Sequence, residues 1–162
     1  MKSIQLANNK GVAIIDDEDF DRVSQFKWQS NKKYAEGWSY DSPQRRLNMA
    51  RLIMNVPNGF EIDHIDHNTL NNQKKNLRIV TRSQNGCNRM KCGITSSKYK
   101  GVSFHKNSGL WRSYIKHMGK THYLGYFKSE TEAAMAYDKA AEQYHGEYAL
   151  YNGLKQKKRM GI

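Results

Sequence analysis

Apolar and polar residues alternate in short runs separated by turn formers. Ile4-Gln5-Leu6 and Val12-Ala13-Ile14-Ile15 flank Asn8-Asn9-Lys10-Gly11, the pattern of a β-hairpin. Asp16, Asp17, Glu18 and Asp19 then open a short helix ending near Gln25, because carboxylates favour a helix N-terminus. Short strands are expected over 27–29, 34–40 and 47–54, although Ala50-Arg51-Leu52-Ile53-Met54 fits a helix equally well. Pro57-Asn58-Gly59 is a turn. Residues 60–65 read as a strand, 68–75 as an Asn-rich loop and 76–80 as a second strand. Thr81-x-x-Gln84 has the form of a capping box, so a helix starts after Thr81 and carries Asn85 in its first turns. Further on, 99–105, 110–117 and 121–127 alternate as a three-stranded antiparallel meander, turning at Asn107-Ser108-Gly109 and Met118-Gly119-Lys120. A last helix runs over 129–145. There Ala133, Ala136, Tyr137, Ala140, Ala141 and Tyr144 recur at intervals of three and four, and Gly146 stops it.

The pattern predicts an α+β chain. A small mixed unit spans 1–60, a strand–strand–helix module 61–92 and a linker 93–97. A three-stranded antiparallel sheet packed on one helix spans 98–152, and a basic tail 153–162. Only 38% of the 162 residues are hydrophobic and the mean hydropathy is −0.90, so the cores should be thin and split. No apolar run approaches the ~20 residues of a membrane span, and the start lacks the apolar stretch of a signal peptide. A soluble, cytoplasmic protein without a membrane partner is expected. The formal net charge of +12 points to a polyanion, nucleic acid before membrane. Basic residues outnumber acidic ones nine to seven in 1–60, six to three in 61–96 and twelve to five in 97–162, so the C-terminal part should grip phosphates hardest. Cys87 and Cys92 lack the second cysteine pair of a structural zinc site and read as free thiols.

The densest chemistry lies between residues 61 and 89. Asp63 and His64 are adjacent; Asn76 follows His64 by 12 positions and Asn85 by 21. A neutral histidine, with an ordinary pKa of about 6.5, can take a proton from water. A hard divalent ion prefers oxygen, which an Asp carboxylate and an Asn amide both offer. Strand alternation sends Asp63 and His64 to opposite faces, so both serve one site only if the strand ends or distorts there. His67 reads as a solvated loop residue. Asn88, one turn past Asn85, is a spare partner on the same helix face. Arg78, Arg82 and Arg89 are candidate phosphate contacts, a solvated basic face being the alternative.

Asp63-His64-Ile65, Asn76-Leu77-Arg78 and Ser83-Gln84-Asn85 resemble the HNH motif of the ββα-metal nucleases, with Asn as third letter, as in many phage and intron-encoded homing endonucleases. The resemblance implies His64 as general base, Asn76 pinning the hairpin loop, and Asp63 and Asn85 holding one divalent metal ion. It implies Mg²⁺, with Mn²⁺ as a substitute, and products with 5′-phosphate and 3′-hydroxyl ends.

In the C-terminal sheet, alternation turns Val102, Trp111, Ile115 and Leu124 toward the helix. It turns Ser103, His105, Arg112, Tyr114, Lys116, Thr121 and Tyr123 to the other face, which is cationic and aromatic enough to enter a major groove. Tyr99-Lys100-Gly101-Val102, Trp111, Leu124-Gly125-Tyr126-Phe127, Glu132-Ala133-Ala134, Ala136-Tyr137-Asp138-Lys139-Ala140-Ala141, Gly146 and Asn152 resemble the Apetala/ethylene-response-factor (AP2/ERF) DNA-binding domain over about residues 97–152. That domain reads DNA with its sheet. Ser103 and Tyr123 stand where plant members carry Arg and Trp, so the plant target sequence does not transfer. Residues 1–60 are similar in outline to the N-terminal part of phage homing endonucleases, with Ala50 where those often carry His before Arg-Leu-Ile.

The expected function is a metal-dependent DNA endonuclease of homing type, monomeric, nicking double-stranded DNA, and acting in the bacterial host cell if phage-encoded. The alternative is a non-catalytic, sequence-specific DNA-binding regulator that retains the HNH fold; the complete set of Asp63, His64 and Asn85 argues for the enzyme. RNA binding has less support, since no RNA-reading strand signature occurs.

Overall fold

Strands β1 (Lys2–Gln5) and β2 (Val12–Ile15) close an antiparallel hairpin with Lys2 opposite Ile15 and Gln5 opposite Val12, burying Ala13 and Ile15. A computed structural model describes residues 1–7, 9–31, 33–90 and 96–153. Cys92, most of the expected linker and the tail from residue 154 lie outside the described residues. The chain divides into two compact units, residues 1–82 and a second unit starting at Ser83. The division falls inside the stretch 61–92. The described residues mix helices with several small antiparallel sheets.

In the first unit the acidic run begins as a 3-10 turn, Asp17–Asp19, and only then becomes helix α1 (Phe20–Val23). Asp16 does not cap this turn with its side chain. Its carboxylate instead accepts from Lys74 N at 2.8 Å and Gln73 Nε2 at 3.0 Å, fastening a distant loop. Strands β3 (Trp28–Ser30), β4 (Ala35–Trp38) and β5 (Arg46–Asn48) form an antiparallel sheet. The ambiguous run after residue 48 is helical: α2 spans Met49–Met54, because Asn48 caps it, accepting from Arg51 N at 3.1 Å. Asn55, at φ 47°, ends it in the left-handed region. Strands β6 (Glu61–His64) and β7 (Leu77–Val80) pair antiparallel. One core holds these pieces together, built from Leu6, Ile15, Val23, Trp28, Met49, Ile53 and Leu77. The buried Trp28 satisfies its indole N–H on Val23 O at 2.7 Å.

In the second unit, helix α3 (Arg82–Asn88), which begins at the division, precedes a sheet of β8 (Val102–His105), β9 (Leu110–His117) and β10 (Lys120–Phe127) in the order β10-β9-β8. Helix α4 (Glu130–His145) starts with a reciprocal capping box between Ser129 and Glu132. Its alanines let Tyr137, Ala140 and Ala141 lie on Ile115 and Leu124, and Ala133 and Ala134 on Val102 and Trp111. Gly101, at φ +71°, admits this packing. A Cβ there would stand 2.0 Å from Tyr137 Cδ2 and 2.5 Å from Tyr114 O.

Lys100 anchors the C-terminal end of α3. Its ammonium donates to Cys87 O at 2.6 Å, Arg89 O at 2.7 Å and Gly86 O at 3.5 Å, where helix carbonyls lack partners. Its backbone is clamped in turn, N–H to Asn152 Oδ1 at 2.6 Å and C=O from Asn152 Nδ2 at 3.1 Å, while Asn152 N donates to Asp138 on α4. No helix among the described residues is long and apolar enough to cross a membrane.

Candidate active site

Strand β6 ends at His64. Ile65 N still donates to Asn76 O at 2.9 Å, and by His67, at φ 63°, the chain has turned away. Asp63 stands opposite Arg78 and His64 opposite Leu77. Both are buried, at 7% and 5% exposure. Asp63 Oδ2 accepts from Arg78 Nε at 2.9 Å and Nη2 at 2.6 Å. Arg78, an expected phosphate contact, is thus a half-buried intramolecular partner of the proposed metal ligand.

His64 turns to other company. Its Nε2 lies 3.3 Å from Asn72 Oδ1, and the Tyr34 ring centroid stands 6.2 Å from its own. Burial pushes its pKa below the ordinary 6.5 because a charged ring is poorly solvated there, while Asn72, Asp66 and Asp63 pull weakly the other way. The result favours a neutral imidazole.

Asn76 pins the loop between β6 and β7. Its Nδ2 donates to Asn71 O at 2.8 Å and to Asp66 Oδ1 at 2.9 Å, and its Oδ1 accepts from Asp66 N at 3.0 Å. Burial opposes the charge on Asp66, but hydrogen bonds from Asn71, Asn68 and Asn76 outweigh it and hold the carboxyl below its ordinary value. The same loop is sewn to β2, through Ile14 N to Leu70 O at 2.8 Å and Asn72 N to Ile14 O at 2.7 Å. Asn72 and Asp66 escaped the sequence reading because Asn and Asp in a polar loop look like ordinary turn formers.

Asn85 and Asn88 lie on α3 in the second unit, half-buried and buried respectively, while Arg82 and Arg89 are exposed. His67 is exposed. Cys87 is a free thiol, its pKa raised by burial. Among the described residues no group of three or more His, Cys, Asp or Glu stands ready to hold a metal ion. Asp63 in the first unit offers a carboxylate oxygen, and Asn85 in the second an amide oxygen. Oxygen donors of this kind suit a hard ion of the Mg²⁺ or Mn²⁺ kind, which keeps several waters, better than zinc.

The outer face of the C-terminal sheet collects Ser103, Arg112, Tyr114, Lys116, Thr121 and Tyr123 across facing positions: Ser103 opposite Arg112, Thr121 opposite Lys116, Tyr123 opposite Tyr114. The Arg112 guanidinium lies 5.6 Å from the Tyr114 ring centre and 6.0 Å from that of Tyr123, and donates to Ser103 Oγ at 3.4 Å. A bulge between Tyr123 and Gly125 shifts the register, so that Tyr126 stands opposite Arg112. Tyr126 also meets His105, with ring centroids 5.3 Å apart. Arg112, Tyr123, Gly125 and Tyr126 line a shallow recess. Strict alternation missed Tyr126 for want of any sequence sign of the bulge beyond Gly125 itself.

Residues 55–87 match the model of the HNH endonuclease family and residues 97–147 that of the AP2 domain. An uncharacterized HNH endonuclease of Acanthamoeba polyphaga mimivirus is 34% identical over 153 residues, covering 92% of this chain and 79% of the relative. A prophage-derived protein of Bacillus subtilis (strain 168), named as an HNH homing endonuclease, is 42% identical over 53 residues, 33% of this chain and 31% of its own. An AP2-like ethylene-responsive transcription factor of Arabidopsis thaliana is 47% identical over 51 residues, 32% of this chain and 10% of that protein.

Proposed function

The chain belongs to the HNH endonucleases, and from that membership and the AP2 match we propose that it is a metal-dependent homing-type enzyme that nicks duplex DNA. The observation that carries this reading is His64, a buried histidine inclined to neutrality, beside Asp63 at the end of β6 and under a loop pinned by Asn76.

His64 is the general base: a neutral imidazole accepts the proton of the water that attacks phosphorus. Asn76 keeps the loop from Asp66 to Gln73 in place, so that His64 meets substrate in one orientation. Asp63 and Asn85 are the oxygen donors for the divalent ion, and Arg78 fixes the Asp63 carboxylate. When bound, the ion supplies charge neutralisation at the phosphate and at the departing oxygen. Arg82 and Arg89, exposed on or beside α3, serve as phosphate contacts.

The outer sheet face holds the DNA. Lys116, Thr121 and Tyr123 are exposed, and Arg112 Nε is buried without a hydrogen-bond partner among the described residues. A guanidinium held over tyrosine rings suits base or phosphate recognition. One nuclease module of this kind acts on one strand at a time, and the enzyme works as a monomer.

The test uses supercoiled plasmid carrying the target, with Mg²⁺ and with EDTA. Nicked circles accumulating ahead of linear DNA, and only with the ion, are the expected result. Tight binding to verified target without cleavage, in Mg²⁺ and in Mn²⁺ alike, would instead assign the chain to the non-catalytic regulators.

A further inference from the structure

We propose that Asn72 is a positioning residue for the reaction: it fixes the His64 ring in the tautomer with hydrogen on Nε2, leaving the lone pair of Nδ1 as the base. The inference rests on the reading of His64 as general base.

Asn72 is 1% exposed, so each of its polar atoms needs a partner inside the protein. Its Nδ2 faces two acceptors, Leu70 O at 3.3 Å and Met49 Sδ at 3.5 Å. Neither can donate from those atoms, so the amide nitrogen belongs there and the amide oxygen must face His64. That oxygen, 3.3 Å from His64 Nε2, can only accept. In a neutral imidazole one nitrogen carries hydrogen and the other a lone pair. The hydrogen is therefore on Nε2 and the lone pair on Nδ1.

The amide is itself held from outside the β6–β7 hairpin. Asn72 N donates to Ile14 O at 2.7 Å, Ile14 N donates to Leu70 O at 2.8 Å, and Ile14 bridges Asn71 in parallel. Strand β2 thus sets where the Asn72 side chain stands. This gives the N-terminal hairpin a task in the chemistry: it braces the residue that orients the base. An asparagine suits the task because it directs the proton without adding charge beside Asp63.

The experiment records ¹⁵N–¹H spectra of the full-length, metal-free protein labelled in histidine, with His64 signals identified by their absence in His64→Ala. The wild type should show a single Nε2–H tautomer at His64. In Asn72→Ala the ring should become a mixture of tautomers, kcat should fall about 10- to 100-fold and KM should stay near the wild-type value. A wild-type His64 protonated on Nδ1 overturns the proposal, and that measurement needs no variant to fold. A folded Asn72→Ala that keeps one Nε2–H tautomer, or mixes tautomers with kcat unchanged, overturns it as well. Failure of the wild type to cut DNA would sink the nuclease reading but leave the tautomer result standing, so the two failures are distinct.

Discussion

A histidine serves as a base only while uncharged, and the burial of His64 extends that state to lower pH. With the folded pKa below 6.5, protonation of the free enzyme requires more acid than for an ordinary histidine. The acid limb of the kcat/KM profile should therefore be centred below pH 6.5. An acid limb centred at or above 6.5 would contradict this assignment. The sign for stability is the same. Between the folded and unfolded pKa the unfolded chain binds more protons, so the contribution of His64 is present above about pH 6.5 and is lost as pH drops through that window. Asn76 offers a second test at this scale. Asn76→Ala leaves Asp66 short of two hydrogen bonds and Asn71 O short of one, at 6% exposure of the residue removed. A loss of about 2–3 kcal/mol in urea unfolding is expected, with kcat reduced as well. His64, Asn76 and Asp63 were legible in the sequence because their types and spacing are unusual together. Asn72 was not, because its importance comes from burial against Met49 and Ile14, residues far away in the chain.

Strands and helices were legible wherever period and punctuation agreed, as over α4, where the small-residue repeat and the stop at Gly146 both point one way. Ambiguity lay where they did not, as at 50–54, where a capping bond from Asn48 favours helix. The anchoring of α3 was out of reach, since the cation that holds its last carbonyls comes from Lys100, beyond the described end of the helix. Burial lowers the pKa of that lysine to about 8, so its ammonium is held at a desolvation cost that the helix carbonyls offset only in part. Lys100→Met should loosen α3, seen as faster amide exchange over 86–89, with wild-type exchange in α4. Unchanged protection in α3 would contradict the anchoring. Gly101→Ala should be more severe. Its Cβ meets a buried ring and a carbonyl at under 3 Å and requires φ of +71°, so a loss of several kcal/mol, on the order of the largest single-residue effects, is expected in thermal unfolding.

At the scale of the whole molecule, charge and chemistry are divided. Twelve basic against five acidic residues lie after residue 96, whereas His64, Asp63 and Asn76 lie in the first unit. Grip and cutting should therefore separate by mutation. Arg112→Ala should weaken binding to target DNA by about 1–3 kcal/mol. A salt dependence flattened by about one ion would mark a phosphate contact, and altered site preference a base contact. Unchanged affinity, salt slope and preference would remove Arg112 from the interface. The central claim is that His64 does the chemistry and not the holding. The most direct measurement is single-turnover cleavage of target duplex in Mg²⁺, with protein in excess and DNA occupancy verified, for wild type and His64→Ala. Equal occupancy is expected, with a cleavage rate lower by at least about 10²-fold in the variant; equal rates at equal occupancy would remove His64 from the chemistry.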